Sequence, residues 1–100
     1  MTHFLMIVLL IILAFVLLAI DWRQTLTIAK NPDKWHEKNP ILGEHPSVTE
    51  VNIYFAACAV LTAGGIYLLP ELWVAIGLAV LCAVEAWAVV NNHRIGIRMS

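Results

Sequence analysis

Long apolar runs, rather than periodic alternation, organise this chain. Residues 4–20 contain no polar side chain, residues 51–69 are interrupted by Asn52, Thr62 and two tyrosines, and residues 72–90 carry one charge, Glu85. A helix crosses the hydrocarbon core of a bilayer with about 20 apolar residues, within a working range of about 17–25. Each run meets that length. The first gains margin if its helix continues through Asp21-Trp22-Arg23-Gln24 to Ile28, before Asn31-Pro32 stops it. The pattern predicts an all-α membrane protein with three transmembrane helices near residues 4–28, 48–69 and 71–90, in one domain over residues 1–100. A cleaved signal peptide is the competing reading of the first run. No Lys or Arg precedes that run and no A-x-A site follows it, so a retained span is expected.

Cap and turn chemistry sharpens the boundaries. Ser47-Val48-Thr49-Glu50 is a capping box that starts the second helix at about Val48. Leu69-Pro70-Glu71 leaves room for a tight turn only, with Pro70 suited to the first position of the third helix and Glu71 to the positive end of its dipole. Spans two and three are therefore expected to form a tight antiparallel hairpin. In the loop at 30–47, Pro32 opens a short predicted helix over residues 32–38, lying at the membrane surface and ended by Asn39-Pro40.

Composition agrees with a bilayer as solvent. Hydrophobic residues make up 61% and charged residues 13% of the chain, and its mean hydropathy is +0.82. Soluble domains carry about 25% charged residues, and one this short could not bury so much apolar surface. A net charge of −1 excludes a strongly basic nucleic-acid binder, and the hydrophobicity excludes disorder. The basic residues set an orientation. Arg23, Lys30, Lys34 and Lys38 lie between spans one and two, and Arg94 and Arg98 follow span three. In a three-span protein these regions share one side, which the positive-inside rule makes cytoplasmic. A bacterial inner membrane location follows, with the amino terminus outside and the carboxyl terminus cytoplasmic. Trp22, Trp35, Trp73 and Trp87 fall near span ends, as interface anchors do.

Small residues suggest how the spans pack. Ala75, Ala79 and Ala83, continued by Ala86, form a ridge on span three, and span two offers Ala56, Ala59, Ala63 and then Gly64-Gly65. Such ridges let helix backbones approach closely where lipid removes the hydrophobic drive to associate. Packing within the hairpin is the plain reading, and an oligomer interface the sharper one. Span one, made of Leu, Ile, Val and Phe on all sides, suits a lipid-facing position. Cys58 and Cys82 have no C-x-x-C spacing and read as buried small hydrophobes.

The unusual polar residues gather at one depth. Asp21, Gln24 and Thr25 share a face near the cytoplasmic end of span one. Asn52 sits near the same end of span two, and Glu85 and Asn92 share a face of span three. A carboxylate within a span costs a few kcal/mol unless paired or hydrated. Glu85 points roughly 115° away from the alanine ridge, so a ridge packed on span two would turn it toward span one or a neighbouring protomer. It serves either as a structural hydrogen-bonding group or in gating, ion or proton movement. In the loop, His36-Glu37 and Glu44-His45 offer nitrogen and oxygen ligands that suit zinc or manganese, although their spacing matches no established metal motif. The alternative is a solvated loop with no cofactor. The chain has no nucleophile elbow or phosphate-binding glycine loop.

The segments Asp21-Trp22-Arg23-Gln24-Thr25, Glu37-x-Asn39-Pro40-Ile41-Leu42-Gly43-x-His45-Pro46-Ser47 and Val51 to Phe55 resemble small membrane proteins of bacterial and prophage genomes. The D…T…E-x-N-P part is similar to a domain of unknown function in bacterial membrane proteins. That resemblance implies that Asp21, Thr25, Glu37, Asn39 and Pro40 work as one unit. The architecture also resembles three-span phage holins, which implies an outside amino terminus and self-association. The departure is the carboxyl tail, where residues 91–100 hold two Arg and no dense charged cluster. Three functions compete: a homo-oligomeric holin-like pore, an accessory subunit or regulator of a larger membrane complex, and a small membrane enzyme or carrier with a His/carboxylate metal site. Expected partners are the lipid bilayer and either a second copy or another membrane protein.

Overall fold

The computed structural model describes residues 2–31, 33–35, 41–43 and 45–97, and every regular element among them is a helix. α1 covers Thr2–Lys30, α2 Val48–Leu68 and α3 Glu71–Arg94. All three are long and apolar enough to cross a membrane. α1 continues past Asp21 without a break, and ends where the residue before Pro32 is biased out of helix. There the Asn31 N–H donates to Ile28 O at 3.2 Å, and its side-chain amide donates to Thr27 O at 2.8 Å. α2 starts on the expected capping box. The Glu50 N–H donates to Ser47 Oγ at 3.1 Å, and the Ser47 N–H donates to Glu50 Oε1 at 3.2 Å.

Two details at the ends of α3 differ from the sequence expectation. Pro70 is the N-cap of α3 in extended backbone, so Glu71 rather than Pro70 is the first helical residue. α3 also runs on to Arg94, because Gly96 closes it. With φ at +103°, Gly96 adopts a left-handed conformation that other residues rarely take. Its N–H donates to His93 O at 3.2 Å, while the Ile97 N–H donates to Asn92 O at 2.9 Å. Those two bonds satisfy carbonyls that a helix end otherwise leaves open. Of the surface helix expected at 32–38, Asp33 and Lys34 form a turn. Pro32 and residues 36–40 lie outside the described residues.

The packing order corrects the sequence reading. α1, expected to face lipid, is the central helix. It makes its largest interface with α3 and a smaller one with α2, whereas α2 and α3 touch each other least. The two-residue link at 69–70 makes α2 and α3 neighbours in the chain, yet a cleft of about 250 Å³ between them is walled by Leu61, Ile66, Trp73 and Leu78. One apolar cluster joins Ala14 to Val74, Leu78 and Cys82, and a second joins Leu18 and Leu26 to Val51 and Phe55. Cys82 Sγ meets Leu10 O at 3.7 Å, and Gln24 meets Val89 and Asn92 farther on. Residue numbers rise together on both helices, so α1 and α3 run parallel.

The alanine ridge is not the seam. α3 buries Val74, Leu78, Cys82 and Glu85, while Ala79 and Ala83 are exposed and Ala75 is half-buried. On α2, a Cβ built at Gly64 would meet nothing within 4 Å, and one at Gly65 would meet only Leu69 Cδ1 at 3.7 Å. Neither glycine serves a close helix crossing within the chain. The buried stripe of α3 packs on α1 instead, where Ala14 meets Val74, Leu78 and Cys82.

Candidate functional site

The polar residues of the three helices converge at the end of the bundle that carries the 31–47 loop and residues 95–97. On α1, Gln24 and Thr25 are buried and Asp21 is half-buried. Thr25 Oγ1 donates to Asp21 Oδ1 one turn earlier, at 3.2 Å. The Gln24 amide bridges to α3 in both directions. Its Nε2 donates to Val89 O at 3.2 Å, and its Oε1 accepts from Asn92 Nδ2 at 3.3 Å. An interhelical hydrogen bond at membrane depth is worth on average about 0.6 kcal/mol, and at most about 1.7. These two therefore fix the register of α1 against α3 more than they add stability.

Beside this bridge lies a cavity of about 210 Å³. Asp21 and Thr25 line it from α1, and Glu85, Asn91 and Asn92 from α3. Tyr54 and Phe55 of α2 and Trp87 of α3 add aromatic wall, and Leu42 from the loop closes one side. Glu85 reaches it because α3 turns the same stripe toward α1 along its length: Val74, Leu78 and Cys82 are the earlier positions of that stripe. Its side chain is 9% exposed. Tyr54 and Phe55 hold one another edge to face, with ring centroids 5.1 Å apart and planes at 83°. The chamber's lining residues thus carry two carboxyl groups, two hydroxyls, two carboxamides and three aromatic rings.

Not every residue singled out from sequence joins the chamber. Asn52 faces away, and its Oδ1 accepts from Trp22 Nε1 at 2.9 Å. That pair stands at the mouth of a separate groove of about 370 Å³ between α1 and α2, lined by Phe15, Ala19, Ala56 and Ala59. His45 is exposed, while His36, Glu37 and Asn39 lie outside the described residues. Among the described residues no group of three His, Cys, Asp or Glu could hold a metal ion. Cys58 and Cys82 are both free. Arg23 lies over the Trp22 ring at 5.5 Å and Lys34 over the Trp35 ring at 5.2 Å.

Sequence reasoning missed Tyr54, Phe55, Trp87 and Asn91 as chamber residues. Trp87, expected as an interface anchor, is largely exposed and also borders the cavity. The extension of α3 to Arg94 was missed as well, and the signal that could have found it is Gly96 after the basic last turn His93-Arg94. Comparison of the chain with protein-family models, curated proteins and solved structures finds no match.

Proposed function

We propose that this membrane protein is an accessory or regulatory component of the bacterial inner membrane, working through the polar chamber rather than forming a channel itself. The amino terminus lies outside and the carboxyl end in the cytoplasm, which puts the chamber at the cytoplasmic boundary. One observation carries the reading. The buried polar groups Gln24, Thr25 and Glu85 turn into a single protomer, whereas the outward membrane-level surface is built of side chains such as Leu9, Ile12, Val16, Val60, Val80 and Val84. A pore between protomers needs polar side chains on that outer surface. Two measurements test the proposal. Protein reconstituted in sealed vesicles should release no more dye or ions than protein-free vesicles. Single cysteines at Lys34 and at Glu71, placed in a Cys58→Ala, Cys82→Ala background, should label from the cytoplasmic side and from outside, respectively. Leakage that Glu85→Gln abolishes would overturn the accessory role, and reversed labelling would overturn the orientation.

A holin-like homo-oligomer is the second reading, favoured by the exposure of Ala79 and Ala83. A small-residue ridge on the outside of α3 suits a second copy's helix. Mass measurement in mild detergent separates the two: a large ring that Ala79→Leu breaks into protomers supports the pore, and a monomer or small dimer supports the accessory role.

A further inference from the structure

The segment that follows α3 is held more firmly than a helix stop requires. The N–H groups of Gly96 and Ile97 close the last turn on the carbonyls of His93 and Asn92, with the Gly96 backbone left-handed at φ +103°. This paired closure commonly lays the residue after the glycine on an apolar side chain in the last turn of its own helix. Here those positions are Asn91 and Asn92, yet Ile97 is only 1% exposed. Its cover comes from another element. Trp35 stands beside the glycine: a Cβ on Gly96 would lie 3.4 Å from Trp35 Cη2 and 3.8 Å from Cζ2. Trp35 is in turn fixed to α1, since its N–H and that of Lys34 both donate to Asn31 O at 3.1 Å. Residues 95–97 therefore fasten the end of α3 to the turn that extends α1.

Asn92 joins this fastening to the bridge between the helices. Its carbonyl accepts from the Ile97 N–H at 2.9 Å, and its side-chain Nδ2 donates to Gln24 Oε1 at 3.3 Å. Displacing residues 95–97 frees that carbonyl and loosens the turn that aims the Asn92 side chain at Gln24. We propose that residues 95–97 are a clasp whose docking beside Trp35 is coupled, through Asn92, to the register of α1 against α3. Whatever displaces this segment then also shifts the two helices. Coupling of this kind is reciprocal, so loss of the Gln24 bridge loosens the clasp. The clasp needs no ligand in the chamber and is independent of the accessory reading, which vesicle leakage tests separately.

Amide hydrogen exchange of the full chain, read by NMR in detergent micelles and corrected for intrinsic rates, tests both halves. In the unaltered protein the Ile97 N–H should exchange at least about tenfold more slowly than that of Leu72, in the open first turn of α3. Gly96→Ala should speed exchange at Ile97 by about fivefold to thirtyfold, the cost of a left-handed backbone in a residue with a Cβ. Trp35→Ala should speed it without touching α3. Gln24→Leu should speed it by about fivefold or more, the lower range of site-to-site coupling. The Val51 N–H, which donates to Ser47 O at 3.0 Å at the same end of the bundle, should not respond to any of the three. In the reverse direction, Gly96→Ala should broaden the distance between spin labels at Lys30 and Val90, carried in a Cys58→Ala, Cys82→Ala background. That measurement decides the coupling if Gln24→Leu does not fold. Exchange at Ile97 as fast as at Leu72, or unaffected by Trp35→Ala, overturns the clasp. Exchange that ignores Gln24→Leu, label distances that ignore Gly96→Ala, or equal acceleration at Val51 overturns the coupling.

Discussion

The two ends of the bundle are held by different physics. At the end that carries Leu10, Ala14, Val74 and Leu78, contact between α1 and α3 is apolar, and α2 and α3 stand apart around an open cleft. At the other end, α1 is joined to α3 through Gln24, to α2 through Trp22 and Asn52, and the loop tucks Leu42 against the chamber. Dispersion contacts have little directional preference, and in lipid they merely exchange one apolar neighbour for another. Hydrogen bonds at membrane depth tolerate little displacement, since the alternative is an unmet polar group in hydrocarbon. The polar end therefore sets the alignment of the helices, and the apolar end fills in around it.

The largest effect on this contrast should come from the apolar end. Ala14 is fully buried against Val74, Leu78 and Cys82, so Ala14→Leu forces α1 and α3 apart. A loss of about 1–3 kcal/mol is expected for such overpacking, measured as reversible unfolding in mixed detergent micelles. The polar end comes next. Gln24→Leu keeps the volume but removes both bridges to α3, at a cost of about 1–2 kcal/mol by the same assay. It should also loosen the register, seen as new distances between spin labels on α1 and α3, which Ala14→Leu should change by separation rather than by sliding. The smallest effect should come from Ala79→Leu. Ala79 is exposed, and a surface substitution away from any special feature stays within about 0.5 kcal/mol. If Ala79→Leu costs as much as Ala14→Leu, α1 is not the helix at the centre.

These contrasts also explain what the sequence could and could not show. Helix existence and most boundaries were legible because their causes are local: apolar runs of spanning length, the Ser47/Glu50 box, and Asn31 before Pro32. Which helix sits in the middle was not. In water, an apolar stripe names the buried face of a helix, but here every face is apolar and the stripe carries no such information. The alanines of α3 were consequently a misleading guide, since small size permits close approach without requiring it. The polar residues were the better guide. Gln24, Thr25 and Glu85 cannot face hydrocarbon cheaply, and each marks the inward side of its helix. Their convergence was legible at the level of depth. The aromatic half of the chamber depends on the rotation of α2 and α3 about α1, which no local pattern encodes.

The central place of α1 has a consequence for biosynthesis. Gln24 and Asn92 are 68 residues apart, and a ribosome adds about 5–20 residues per second. The first span therefore exists for roughly 3–14 s before its hydrogen-bonding partners on α3 have been made. Thr25 already has Asp21 one turn earlier, but during that interval the donor and the acceptor of the Gln24 amide lack their partners on α3. Delivery of α1 fully into lipid would strand them, whereas retention beside the insertion machinery, or shallow placement with its last turns still at the interface, would shelter them until α3 arrives. The order of the helices along the chain thus makes the middle of the structure the part that must wait longest to be completed.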